Sequence, residues 1–175
     1  MTAGSEDASL RRLVAWRPHA AVVYGSGLWA PPAGVSVVEE LSYDALGWPS
    51  GAVPGHPNVL RLARARAGDG RELRLGLACG RPHRYEGWSD AELEAPVRML
   101  ARAGVTRIVL TNSCGALRRA AVVGRAVVCS GVVDLQRTPE GETPERLAVC
   151  AAGDAARVAR ALGPDAAPGA GTYVA

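Results

Sequence analysis

The sequence predicts an α/β fold built on a mixed, mostly parallel central sheet flanked by helices. Three observations carry that expectation. A short apolar, β-branched run, Ala20–Tyr24, ends in Gly25-Ser26-Gly27, the pattern of a buried strand running into a tight loop. Two apolar runs, residues 58–66 and 71–79, flank Gly68-Asp69-Gly70, and an Asp-Gly turn between such runs is a strong hairpin signal. A helix-period segment from Asp90 to Ala103 is followed at once by the apolar run Val105–Thr111, half of a crossover unit in a largely parallel sheet.

In chain order, residues 1–18 read as a frayed or helical lead-in closed by Pro18, ahead of one domain over residues 19–175. Strand one is Ala20–Tyr24. Pro31 and Pro32 follow the glycine loop, so no helix runs on from it and an irregular stretch leads to Val35–Val38. Gly47–Gly51 and Pro54-Gly55 mark turns ahead of the hairpin. Ser89 and Glu92 have the spacing of a capping box, and Leu93, Val97, Leu100 and Ala101 recur on one helical face up to Gly104, a natural stop. Ala126–Val133 reads as a strand, Arg137–Glu145 as a polar loop, Asp154–Leu162 as a helix, Gly163–Gly171 as a linker, and Gly171–Ala175 as the start of a strand.

Composition narrows the function classes. The 175 residues are 48% hydrophobic, enough for one sizeable core, and the net charge is only +3 with its 20 Lys and Arg spread along the chain. Nucleic acid is a poor partner for such a surface, and a small anion a better one. No apolar stretch in residues 1–17 suits a signal peptide or a spanning helix, so a cytoplasmic location with no membrane partner is expected. The four cysteines, Cys79, Cys114, Cys129 and Cys150, form no CxxC pair and are expected as buried free thiols, with no metal site.

The chemistry-bearing residues gather around three short segments. The Gly25-Ser26-Gly27 loop offers backbone N–H groups and a hydroxyl that can close on an anion. Val53-Pro54-Gly55-His56 and Arg81-Pro82-His83-Arg84-Tyr85-Glu86 add a guanidinium and two imidazoles, the side chains best suited to an oxyanion at neutral pH. Gly25, Gly27 and Ala30 also satisfy the dinucleotide fingerprint, but that motif needs a helix to begin at the loop, which Pro31-Pro32 opposes.

The order of six motifs resembles the trimeric purine nucleoside phosphorylase family. They are Gly25–Leu28, Trp48-Pro49-Ser50 with Val53–His56, Gly80–Gly87, Ala95–Arg98, Thr111-Asn112 and Gly171–Val174. The resemblance covers about residues 18–174 and the N-terminal and central parts of the family pattern, so residues 19–175 are expected to be a partial, C-terminally truncated phosphorylase domain. It implies phosphate-dependent cleavage of the N-glycosidic bond of purine ribo- or deoxyribonucleosides, giving free base and (deoxy)ribose 1-phosphate in purine salvage. Ser26, His56, Arg81, His83 and the backbone N–H of Ser113 would hold phosphate, and Tyr85 would lie against the ribose. His83 and Glu86 are the implied catalytic pair, with Glu86 steering His83 and fixing its tautomer. No metal or organic cofactor is implied, inorganic phosphate being a co-substrate, and a homotrimer is implied by the resemblance alone.

The sequence departs from the family at Trp29, Pro82, Ser113–Ala116 and Ser130–Asp134. The resemblance implies that the family residues that hold the purine fall after the matched part. A second expectation, of another class, is a catalytically inactive paralogue that keeps the phosphate site and serves as a binding or subunit-interaction module.

Overall fold

The computed structural model describes residues 3–25, 27, 28, 30–115, 124, 126–136, 139–148, 152–162 and 166–174. The chain forms two compact units, Met1–Gly115 and Ala116–Ala175.

The first unit contains α1 (Ala3–Trp16), β1 (Ala20–Tyr24), β2 (Ser36–Ser42), β3 (Val59–Arg66), β4 (Glu72–Cys79), α2 (Asp90–Arg102) and β5 (Ile108–Leu110). The five strands form one sheet in the order β2-β3-β4-β1-β5. β1 runs parallel to both β4 and β5, whereas β2, β3 and β4 make an antiparallel meander. The hairpin around Gly68-Asp69-Gly70 forms as expected, with Arg66 opposite Glu72. Its turn is closed by the Ala67 N–H donating to the Arg71 carbonyl at 2.8 Å and the Gly70 N–H donating to the Ala67 carbonyl at 2.9 Å.

One face of the sheet carries the main core. Leu13, Leu46, Leu60, Leu62 and Leu100 are all at most 1% exposed, and burial of each contributes roughly 1.5–3 kcal/mol. α1 joins this core through Leu13, and its Trp16 indole donates to the Leu75 carbonyl at 3.2 Å. The residues expected as a lead-in are therefore a packed helix, ended by the fully buried Pro18. Tyr24, Ala63, Leu77 and Cys79 form a smaller cluster, to which both strands of the hairpin and β1 contribute.

α2 starts where the capping box places it. The Ser89 N–H and hydroxyl both donate to the Glu92 carboxylate, and the Glu92 N–H returns to the Ser89 hydroxyl at 3.4 Å. Pro96 sits inside this helix and supplies no N–H to the preceding turn. Arg98 ties that turn together by donating to Glu94 and to the Ala91 carbonyl, each at 2.6 Å. β5 is shorter than the expected Val105–Thr111, because the Val105 N–H is used to close the end of α2 on Leu100.

The second unit contains β6 (Ala126–Val133), β7 (Arg146–Ala148), α3 (Ala152–Leu162) and β8 (Ala166–Val174), with strand order β7-β6-β8. β6 runs antiparallel to β7 and parallel to β8. On α3, Ala155 and Ala159 are buried at helical spacing. β8 begins well before the expected Gly171 and takes in part of the segment read as a linker. The registers of β6 and β8 shift around Cys129, and a proline is tolerated in a strand that has one neighbour, here Pro168 opposite Val128. Among the described residues no helix is long and apolar enough to cross a membrane.

Candidate functional site

The sheet order brings the anion-competent segments to one end. β4, β1 and β5 are adjacent and parallel, so their carboxyl ends lie side by side, with Tyr24 opposite Cys79 and Val23 opposite Leu110. From these ends leave Gly80–Glu86, the Gly25 loop and Thr111–Ser113. β3 is antiparallel to β4 and pairs Val59 with Cys79, so the segment that enters β3, carrying His56, reaches the same end. Crevices outside the carboxyl ends of parallel strands are where open α/β sheets take ligands.

The Gly25 loop meets the end of β5 closely. The Gly25 N–H donates to the Thr111 hydroxyl at 3.0 Å, and that hydroxyl donates to the Val23 carbonyl at 3.2 Å. A Cβ on Gly25 would stand 2.6 Å from the Thr111 carbonyl oxygen and 2.7 Å from the Asn112 Cα, so only glycine fits. Ser26 lies outside the described residues. Ser113 is exposed at the end of β5, beside Cys114, whose free thiol is exposed where the sequence suggested burial. Cys114 falls past the last residue of β5 and so leaves the sheet. Cys79 is buried as expected, Cys129 is half-buried, and Cys150 lies outside the described residues.

His56 and Arg81 are held together by the backbone between them. Gly80 has φ of +101°, and a Cβ there would stand 3.1 Å from the His56 Cβ and 3.3 Å from the Asn58 Oδ1. His56 therefore packs on bare backbone one residue before Arg81 and is 9% exposed. The Gly80 carbonyl accepts from the buried Tyr43 hydroxyl at 2.6 Å. Burial pushes the Tyr43 phenol far above its usual range, with Cys79 a smaller cause, so it remains a donor.

Glu86 joins the His56 segment to the His83 segment. One carboxylate oxygen accepts the His83 N–H at 2.6 Å, and the other accepts the Ala52 N–H at 2.5 Å. The short 3-10 turn Arg84–Glu86 makes this possible, because it brings the carboxylate of its third residue back over the N–H that precedes the turn. Glu86 thus grips two backbone amides, where the sequence reading had it fix the tautomer of the His83 ring.

The His83 and His56 rings lie 6.1 Å apart, and the Tyr85 ring stacks on His83 at 4.9 Å and 13°. Tyr85 is 73% exposed, so the stack offers one free aromatic face. Burial, then the nearby Arg81 guanidinium, lower the His83 pKa below its usual 6.5, with Glu86 pulling the other way and His56 adding slightly to the depression. At neutral pH His83 is a neutral imidazole, while Arg81 supplies the positive charge. One fixed cation, neutral N–H donors and an exposed aromatic face can hold an oxyanion beside a sugar-like group.

The structure gathers His56, Arg81, His83, Tyr85 and Glu86 in one cluster and puts Ser113 at the neighbouring strand end. The sequence reading assigns no role to Tyr43 or Asn58, and Gly80 enters it only as the start of the Gly80–Gly87 motif. The only signal for them was the glycine before Arg81 and an asparagine just after Pro57. A separate cleft of about 390 Å³ lies between the Gly47–Ser50 turn and the start of α2, lined by Asp44, Trp48, Ser50, Trp88, Glu92 and Ala95 among others. None of the described anion-competent residues lines it. Its acids are already engaged, Asp44 by the Ser50 hydroxyl and Glu92 by Ser89. Among the described residues no cluster of His, Cys, Asp and Glu suits a metal ion.

Residues 61–172 match the model of the phosphorylase superfamily. Purine nucleoside phosphorylase of Cellulomonas is 36% identical over 129 residues, covering 70% of this chain and 45% of that protein. The enzyme of Mus musculus is 30% identical over 144 residues, covering 77% and 47%. The chain spans about half the length of the curated relatives it matches. Among solved structures, the purine nucleoside phosphorylase of Schistosoma mansoni in complex with acetate is similar at a TM-score of 0.58 and 25% identity, covering 77% of this chain and 49% of that one. A purine nucleoside phosphorylase in complex with ribose-1-phosphate is similar at 0.66, covering 98% and 67%; at 24% identity it supports the fold alone.

Proposed function

Because the chain belongs to the phosphorylase superfamily, we propose that it carries the phosphate half of a purine nucleoside phosphorylase site and cleaves purine ribo- or deoxyribonucleosides. Nucleoside and inorganic phosphate give free base and (deoxy)ribose 1-phosphate. The observation that carries this reading is the convergence of Arg81, His56 and His83 at the carboxyl end of β4-β1-β5, locked by the Glu86 carboxylate on the Ala52 and His83 amides. The names of the relatives support it.

In this mechanism Arg81 clamps the phosphate through its guanidinium. Neutral His83 donates to it, and the His56 ring, the Ser26 hydroxyl and the Ser113 N–H join it. The sugar lies against the exposed face of Tyr85. As the bond from C1′ to the base nitrogen breaks, its electron pair leaves with the base, which takes up a proton. The sugar gains oxocarbenium character, which the adjacent phosphate stabilises before its oxygen forms the new bond to C1′. Glu86 is a positioning residue that sets the His83 backbone. The reading extends to a homo-oligomer, a trimer by resemblance, working in purine salvage in the cytoplasm.

The test is chromatographic detection of hypoxanthine or guanine from inosine or guanosine, with and without phosphate, using the full chain and Arg81→Ala. Phosphate-dependent release that is lost in the variant supports the proposal. Saturable phosphate binding with no release from folded protein selects the non-catalytic binding module instead.

A further inference from the structure

Asn58 lies two residues after His56 and immediately before β3, with φ of 51°, a left-handed conformation that asparagine tolerates better than most residues. Its carboxamide forms a cyclic pair with one residue across the loop. Nδ2 donates to the Gly51 carbonyl at 2.8 Å, and Oδ1 accepts the Gly51 N–H at 3.2 Å. The Asn58 carbonyl accepts the Tyr43 N–H at 2.8 Å. Residues 51–58 are therefore closed at their base into a ring, and His56 is carried inside it. The ring is docked on the Arg81 segment at two further points. A Cβ on Gly51 would stand 3.2 Å from the Arg81 carbonyl oxygen, and the next residue, Ala52, gives its N–H to Glu86.

We propose that Asn58 is a positioning residue of the anion site, closing the 51–58 loop through its amide pair with Gly51 so that His56 faces His83 and Arg81. Its consequence for phosphate rests on the function proposed above; its effect on His56 does not. The left-handed backbone alone would be served as well by glycine. The asparagine adds the two side-chain hydrogen bonds, and these separate a positioning role from a merely permissive turn. Asn58→Gly keeps the backbone freedom and removes the pair. Asn58→Asp keeps the acceptor for the Gly51 N–H and sets a second acceptor against the Gly51 carbonyl.

The experiment is histidine-ring NMR on the full chain, whose three histidines are His19, His56 and His83. In Asn58→Gly the His56 ring resonances are expected to move and its contact with the His83 ring to weaken. His19, at the other end of β1, should stay in place as the internal control. His56 resonances and ring contact unchanged in Asn58→Gly overturn the proposal. Asn58→Asp, which opposes a carboxylate oxygen to the Gly51 carbonyl, is expected to move His56 at least as far as Asn58→Gly. Phosphate affinity is measured in parallel and is expected to weaken roughly tenfold in Asn58→Gly, the share of one hydrogen bond to an anion. A wild-type chain that binds no phosphate, or an Arg81→Ala variant that binds it equally, removes the phosphate reading and leaves the His56 result to decide the Asn58 role. If Asn58→Gly does not fold, amide exchange in the unaltered chain decides: Gly51 N–H protection supports the closed ring, and exchange at the rate of a free amide overturns it.

Discussion

Replacing Glu86 by alanine removes a side chain that bonds both to the segment carrying His56 and to the segment carrying His83. Its two carboxylate oxygens accept separate backbone amides, at 2.6 Å from His83 and 2.5 Å from Ala52. A hydrogen bond to a charged group contributes about 1.5–3 kcal/mol. The His83 amide is part-buried and the Ala52 amide is exposed, so water replaces much of the second bond. The expected loss in Glu86→Ala is then about 2–3 kcal/mol, near the full value of one bond and a fraction of the other. Glu86→Gln keeps one acceptor but turns its NH2 toward the other amide, and is expected to lose about half as much. All four tryptophans, Trp16, Trp29, Trp48 and Trp88, lie within Met1–Gly115. Urea unfolding followed by tryptophan fluorescence therefore reports on the unit that holds the site. A loss below about 0.5 kcal/mol at unchanged slope, the range of an ordinary surface substitution, would refute the bridging role.

Two further outcomes follow from the same cluster. Gly80→Ala forces a side chain into a φ of +101° and to within 3.1 Å of the His56 Cβ, so a loss of about 2 kcal/mol or more is expected by the same urea method, from left-handed strain plus the contact; a neutral result contradicts the packing of His56 on bare backbone. His83 has a folded pKa below 6.5, lowered first by burial and then by Arg81. The unfolded chain thus binds more protons in the window between that folded value and 6.5, and this group's contribution to stability falls as pH drops through it. Arg81→Ala is expected to raise the His83 pKa toward its ordinary value and to shrink that acid-side loss, both read by histidine NMR titration and urea midpoints; a titration curve unmoved in the variant refutes the placement of Arg81 beside His83.

Much of the fold was legible because period and punctuation agreed locally. Ala20–Tyr24, the hairpin around Asp69-Gly70 and the Ser89 cap each combine a pattern with a turn or capping residue. β7 was not, since three residues show no period, and the start of β8 was hidden by Pro168, Gly169 and Ala170, which read as a linker. In the site, the residue types that suit an anion were legible from the motifs around His56 and Arg81. How they are held was not. Glu86 is drawn to backbone amides by a turn geometry that spacing alone does not distinguish from a ring contact. The role of Asn58 depends on a positive φ and a partner across the loop. Cys114 reads as buried from its neighbours, yet β5 stops short and leaves it exposed.

The central claim is that Arg81, His56 and His83 form a phosphate site at the strand ends. Calorimetric titration of the folded chain with inorganic phosphate, beside Arg81→Ala, tests it most directly. One saturable site in the wild-type chain, lost in the variant, is the expected result. No saturable binding by folded protein, or the same affinity in Arg81→Ala, would contradict it.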